Sequence, residues 1–280
     1  AFFPARPALS GISRRGPSIL PGARAPAKLN AMQGFSANLG MLWRELSLAE
    51  AVASADRAGF SAVEVQWPYD TPAAELRAAC DATGLPLLSL NTRRGETFGT
   101  ASLPGRGAQT RAAVDEAVAY AVEAGARQVH VLAGQGETCE QTYRESLAHA
   151  CAAAAPHGLR VVIEALNGHD VPGYHLRSVG QALETIAAVG RPELRLMFDC
   201  YHVQVAEGDV TRRLAAALPL IAHIQIAGAP SRGRPDQGEL DLAFVLAEAR
   251  RLGWQGFVGA EYHPGGPTDE SLGWMAALGG

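Results

Sequence analysis

RVVIEAL at residues 160–166, LRLMFDC at 194–200, IAHIQIA at 221–227 and GFVGAEY at 256–262 share one pattern: a short apolar run broken near its end by a carboxylate or an amide. Runs of Val, Ile, Leu and Phe, each followed by a longer stretch of helical period, read as buried strands of a parallel sheet. The polar residues are Glu164, Asp199, Gln225 and Glu261. Their separations of 35, 26 and 36 residues are each close to one strand-and-helix unit, which places them at the same level of four consecutive strands.

Upstream, the same alternation gives four more strands: GFSANL at 34–39, SAVEVQW at 61–67, PLLSLN at 86–91 and RQVHVLA at 127–133. Helical stretches rich in Ala, Leu, Glu and Arg fill the gaps. Ser47 with Glu50 and Ser178 with Gln181 read as capping boxes, and Thr71-Pro72 sets a cap residue before a proline at the first helical position. Eight units of about 31 residues predict an α/β fold of one domain, the (β/α)8 TIM barrel. A doubly wound open sheet would place a glycine-rich phosphate loop after its first strand, where this chain has Asn38-Leu39-Gly40-Met41. The nearest approach to such a loop, Gly134 to Cys139, follows the fourth strand, lacks the third glycine and is expected to be a tight turn.

Residues 1–31 contain five prolines, five basic side chains and no acid, with neither helical nor strand period. They are expected to be a disordered tail, resembling a leader or transit segment, ahead of a barrel domain at 32–280. The remainder carries 19 basic against 28 acidic side chains, a formal charge of −9, which repels a phosphate backbone and argues against a nucleic-acid partner. No apolar stretch approaches a membrane span. Four cysteines without a CxxC pair fit a reducing compartment, the cytoplasm, or an organelle if the tail is a transit peptide. Lys28 is the sole lysine, so Schiff-base, pyridoxal and Walker-type mechanisms have no amine to use.

In a barrel the active site lies at the C-terminal strand ends, where Glu164, Asp199, Gln225 and Glu261 fall. Neighbouring strands lie about 4.8 Å apart, so four consecutive ends can converge on one ion. Three clustered carboxylates without a cation would repel one another. An all-oxygen donor set suits Mg2+ or Mn2+ better than zinc and leaves the loaded site near a charge of −1.

FSANLGMLW, LPGR at 103–106, IEALN with GHD and VPGYHL, FDCYHVQ, HIQIAGAPSRGRPDQGEL and GAEYHP together resemble the hydroxypyruvate isomerase family, within the xylose-isomerase-like barrel superfamily. The match spans nearly the whole chain from residue 34. It implies a metal site at Glu164, Asp199, Gln225 and Glu261, with the two glutamates as the acid–base pair. The chain departs from the family at Gly168, where a His is more usual, at His263, where Lys is frequent, and in a short loop from Asn91 to Pro104. These departures bear on substrate choice more than on reaction type.

The implied reaction interconverts hydroxypyruvate and 2-hydroxy-3-oxopropanoate through an enediol, with a small hydroxy or oxo acid as partner and a homo-oligomer left open. A 2-oxo-tetronate isomerase and a ketose 3-epimerase are alternatives. An endonuclease of the same superfamily and a non-catalytic sugar-acid binding barrel are further removed. His202, three residues after Asp199, is expected to bond a substrate oxygen. Arg232 is the candidate for a substrate carboxylate, because its guanidinium fork binds one bidentately, and Arg93, Arg94 and Arg106 compete for that role. Asn38 and Asn91 end strands one and three and are expected to line the pocket, while His130 and His223 are expected to be structural.

Overall fold

The computed structural model describes residues 32–279; the expected tail, residues 1–31, lies outside the described residues. Eight strands form where the apolar runs lie: β1 Phe35–Asn38, β2 Ala62–Glu64, β3 Ser89–Asn91, β4 Gln128–His130, β5 Arg160–Glu164, β6 Leu194–Asp199, β7 Ile221–Ile226 and β8 Val258–Ala260. Most are shorter than the runs that announced them. The excess residues, such as Val65 to Trp67 and Val131 to Ala133, leave the ladder to build the loops above the barrel.

All pairings are parallel, in the order β2-β1-β8-β7-β6-β5-β4-β3. The β2–β3 seam is closed by a Val63–Leu87 bridge and by bonds from Val63 N to Pro86 O (3.1 Å) and Val65 N to Ser89 O (2.9 Å). This is the expected barrel.

Helices α1 Leu48–Arg57, α2 Ala73–Thr83, α3 Gly107–Ala124, α4 Glu140–Ala154, α5 Val179–Val189, α6 Cys200–Ala206, α7 Val210–Ala217, α8 Leu242–Arg251 and α9 Trp274–Leu278 complete it. The Ser47–Glu50 capping box is present in full. At α5 only half of one forms: Ser178 accepts from Gln181 N, but the Gln181 side chain accepts from Arg177 N instead. Helix α2 starts one residue later than Thr71-Pro72 predicts, with Pro72 itself at the cap and no side chain bonding the free amides. The Gly134 turn is as tight as expected, since its φ of 104° and the close Gly99 carbonyl both exclude a side chain.

Successive strand residues point to opposite faces. Val63, Leu90, Val129, Ile163, Phe198, Ile224 and Val258 belong to the apolar core that packs strands against helices. Their alternating neighbours Ser36, Glu64, Ser89, His130, Glu164, Asp199, His223 and Gln225 are buried and polar. The oily core therefore lies outside the strands, and the barrel's interior is polar.

Candidate active site

Asp199 and Gln225 are direct register partners, but Glu164 pairs with Met197 and Gln225 pairs with Gly259, so Glu164 sits two residues below Asp199 and Glu261 two above Gln225. The expectation of one level per strand is thus corrected along the ladder. Tilt restores it in space: an eight-stranded barrel of shear 8 climbs about one residue per strand, so a net rise of four over three steps stays near one height. Even offsets also keep all four side chains on the inward face.

Three of these residues carry a buried oxygen without a hydrogen-bond partner among the described residues: Glu164 Oε1, Asp199 Oδ2 and Gln225 Oε1. Buried polar atoms are rarely left unpaired, and three oxygens orphaned in one place fit a cation-binding set. The other atom of each group is committed or close to a partner. Asp199 Oδ1 accepts from Tyr201 N at 2.8 Å and caps α6; Gln225 Nε2 donates to Glu64 Oε2 at 2.8 Å; Glu164 Oε2 lies 3.8 Å from His130 Nδ1. Burial raises the pKa of all three carboxyls. It pushes Asp199 up to about 6 and Glu261 up to about 7, the latter against the pull of Arg232, while Glu164 is raised well above its ordinary range by burial and then by Glu261 and Asp199.

Glu164, Asp199 and His202 also form a group whose ligand atoms lie within 4.8 Å of one another. Hydrogen bonding separates their roles. His202 Nδ1 accepts from Asn167 N at 3.2 Å, with the Asn167 amide nitrogen 2.8 Å away, so Nδ1 carries no proton. Burial, reinforced by Arg232, holds the pKa of His202 well below its ordinary value, so the ring is neutral and its proton resides on Nε2. Nε2 lies 3.8 Å from Asp199 and 4.0 Å from Glu164. It is therefore a donor aimed among the carboxylates. Asn167 in turn bonds Asp170, which accepts from Tyr201 Oη, fixing the loop after β5 to α6.

Beneath the site lies a group that the sequence reading missed. Glu64, 1% exposed, accepts from Ser36 Oγ (2.9 Å), Gln225 Nε2 (2.8 Å) and His223 Nε2 (3.1 Å). It thereby sets which end of the Gln225 amide is left without a partner. His223 is structural, as expected. His130 is not merely so: it lines the cavity beside Glu164, and burial lowers its pKa to about 4, which keeps it neutral. Period-two spacing, Glu64 with Gln66 and His223 with Gln225, was the available signal.

Arg232 donates to Glu261 Oε1 at 3.0 Å, lies 3.7 Å from Asp199 and stacks over Tyr201. Its φ of 54° is a left-handed conformation unusual for a residue with a side chain. Gln66 Nε2 also bonds Glu261 Oε1, at 2.8 Å. Of the competing arginines, Arg93 pairs with Glu116 and Arg106 bonds Gln109, whereas Arg94 lies over Phe98 and Trp67 at the cavity wall. Asn91 lines the cavity, but the Asn38 side chain accepts from Gly40 N and stabilises its own loop.

The sequence profile of the xylose isomerase-like TIM barrel family matches residues 52–278. The chain belongs to this family. Among its members, a 2-oxo-tetronate isomerase of Cupriavidus necator is 41% identical over 254 residues, covering 87% of this chain and 98% of the relative. The hydroxypyruvate isomerase of Escherichia coli is 34% identical over the same shares. A crystal structure described as an AP endonuclease of family 2 from Brucella melitensis superposes with a TM-score of 0.85 at 33% identity, covering 88% of this chain and 99% of that one. The chain covers 98% of the length of each of these two isomerases. No helix among the described residues is long and apolar enough to cross a membrane.

Proposed function

We propose that this isomerase interconverts hydroxypyruvate and 2-hydroxy-3-oxopropanoate, with Glu164 and Glu261 exchanging the proton. The observation that carries the reading is that both carboxyls line one cavity of about 330 Å3 at the C-terminal end of the barrel, beside three unpartnered buried oxygens. That volume admits a three- or four-carbon acid.

One C–H bond breaks at C3 and one forms at C2, while the C3 hydroxyl loses its proton and the C2 oxygen gains one. Carbon 3 is oxidised, carbon 2 is reduced, and no external electron carrier is needed. Glu164 and Glu261 serve as the acid–base pair, and burial, which raises the pKa of both carboxyls, favours their taking up a proton. His202 Nε2–H donates to a substrate oxygen. Arg94, stacked on two aromatic rings and without an ion pair among the described residues, anchors the substrate carboxylate. Arg232, bound to Glu261, holds that glutamate in place. Glu164, Asp199, Gln225 and Glu261 would hold Mg2+ or Mn2+, which when bound supplies a Lewis acid that polarises the carbonyl and eases negative charge on its oxygen.

A second reading, 2-oxo-tetronate isomerisation, is supported by the 41% identity to the Cupriavidus necator enzyme. Measured kcat/KM on hydroxypyruvate and on 2-oxo-tetronates separates the two. Glu164→Gln and Glu261→Gln should each lower turnover of the better substrate by about 10² to 10⁴, and product formed in heavy water should carry deuterium at carbon. Near-normal activity in both variants, with no label in wild-type product, would overturn the proton-transfer reading.

A further inference from the structure

The inward face that carries carboxylates at the top of β5 and β6 carries arginines at the bottom. Arg160, Val162 and Glu164 share one face of β5, and Arg195, Met197 and Asp199 share one face of β6. Arg160 and Arg195, with Arg127 just ahead of β4, line a cavity of about 400 Å3 at the N-terminal mouth, the end opposite the carboxylates. No Asp or Glu lines it.

These guanidiniums are poorly compensated. Arg127 and Arg160 form no ion pair among the described residues, and Arg127 lies over the Phe257 ring at 5.5 Å. Arg195 donates only to the carbonyl of Leu194 on its own strand, at 3.0 Å. Glu193, whose carboxyl feels Arg195, is paired with Arg191 at 3.2 Å.

The Trp254 indole lines the same cavity, is 8% exposed, and its Nε1–H has no hydrogen-bond partner among the described residues. Gly256 makes room for it, since a Cβ there would overlap the indole ring. The three arginines are donors without an anionic acceptor among the residues that line the cavity.

We propose that the N-terminal mouth is a second binding site, for a small dianion of phosphate type. The arginines supply charge and bidentate geometry, and the Trp254 indole forms part of the cavity wall. The site shares no arginine with the catalytic cavity, so occupancy of one leaves the other free.

The test titrates inorganic phosphate into metal-free protein by calorimetry at fixed pH and ionic strength. Wild type and Arg94→Gln, altered at the opposite end, should bind one phosphate with equal affinity, while Arg160→Gln and Arg195→Gln should each bind at least tenfold more weakly. In a parallel nitrogen–proton spectrum the Trp254 indole resonance, assigned with Trp254→Phe, should shift with the same saturation curve. A succinate arm distinguishes phosphate from carboxylate chemistry: tighter succinate binding overturns the phosphate assignment. The site itself is refuted by absence of saturable binding in wild type, by unchanged affinity in both arginine variants, by loss in Arg94→Gln, or by a static indole resonance. Arg160 is exposed and Arg195 half-buried, so thermal unfolding without phosphate checks that the variants fold.

Discussion

Replacing Glu64 with Gln keeps the side chain's shape and removes its charge at the point where three donors meet. Glu64 accepts from Ser36, His223 and Gln225. A glutamine oxygen can serve two of them, and its NH2 brings a new donor into a pocket that already holds donors. A half-turn of the Gln225 amide relieves the conflict by turning its oxygen down to the new NH2 and its own NH2 up toward Glu164 and Asp199. That removes one ligand oxygen and replaces it with a group that repels a cation. Loss of a partner that orients a ligand costs about 10- to 100-fold in metal affinity, which is roughly 1.4 to 2.7 kcal/mol. Three charge-assisted bonds become neutral at about 1 kcal/mol each, offset by relief from burying a carboxylate, so folding stability should fall by less than about 2 kcal/mol. The assay is titration of demetallated protein with Mn2+, followed by the resonance of free Mn2+, alongside urea unfolding. Ser36→Ala is the control: it removes one bond to Glu64 at about 1 kcal/mol but does not touch Gln225, and its Mn2+ affinity should stay within threefold of wild type. If Glu64→Gln is folded and binds Mn2+ as tightly as wild type, Glu64 does not orient Gln225.

Gly259→Ala should reach the same network from the other side, because a Cβ there would overlap Glu64 Oε1 and His223 Nε2; unfolding in urea should show a loss of about 1–3 kcal/mol typical of overpacking, together with weaker Mn2+ binding. For Glu140 in the first turn of α4, burial works against the charge, but bonds from Arg144 (2.7 Å), His175 (2.9 Å) and Thr185 (2.9 Å) outweigh it and lower the folded pKa. A lowered carboxyl stabilises the fold above its unfolded pKa and loses that contribution as pH falls, so Glu140→Gln should cost about 1 kcal/mol at pH 7 after solvent screening and converge on wild type near pH 3; a difference independent of pH would show that the charge is not responsible.

The barrel was legible because its apolar half is written as short, separated runs: Ile163, Phe198, Ile224 and Val258 all face the helices, and their repetition counts the strands. The four polar residues that gather at the upper end were legible because one polar residue near the end of each late strand stands out against those runs. Glu64 was not, since it lies mid-run in SAVEVQW and nothing local says that its partners are 28, 159 and 161 residues away. His130 was assigned to a strand interior correctly, but in this barrel the interior faces the cavity. Arg232 was found as a site residue, but its pairing with Glu261 depends on a left-handed loop conformation that composition does not encode.

Most of the stabilising apolar contact lies between the strands and the helices, and the chemistry lies on the opposite face of the same strands. This division explains how one short element can do both. In β7, Ile224 and Ile226 belong to the apolar core, while His223 and Gln225 point inward to Glu64. The inward residues are held by one another rather than by oil, so their arrangement depends on complete hydrogen bonding, and a single altered acceptor propagates to its neighbours. The outward residues tolerate changes of shape only at the usual cost of core packing. Mutations on the two faces of one strand should therefore separate: outward changes lower stability with the site geometry kept, and inward changes alter ligand orientation with the barrel kept. The polar interior also runs from arginines at the N-terminal mouth to carboxylates at the C-terminal one. The two charged ends are separated by Glu64, which bonds His223 below it and Gln225 above it, and His223 also lines the lower cavity. Neither end can neutralise the other by direct contact.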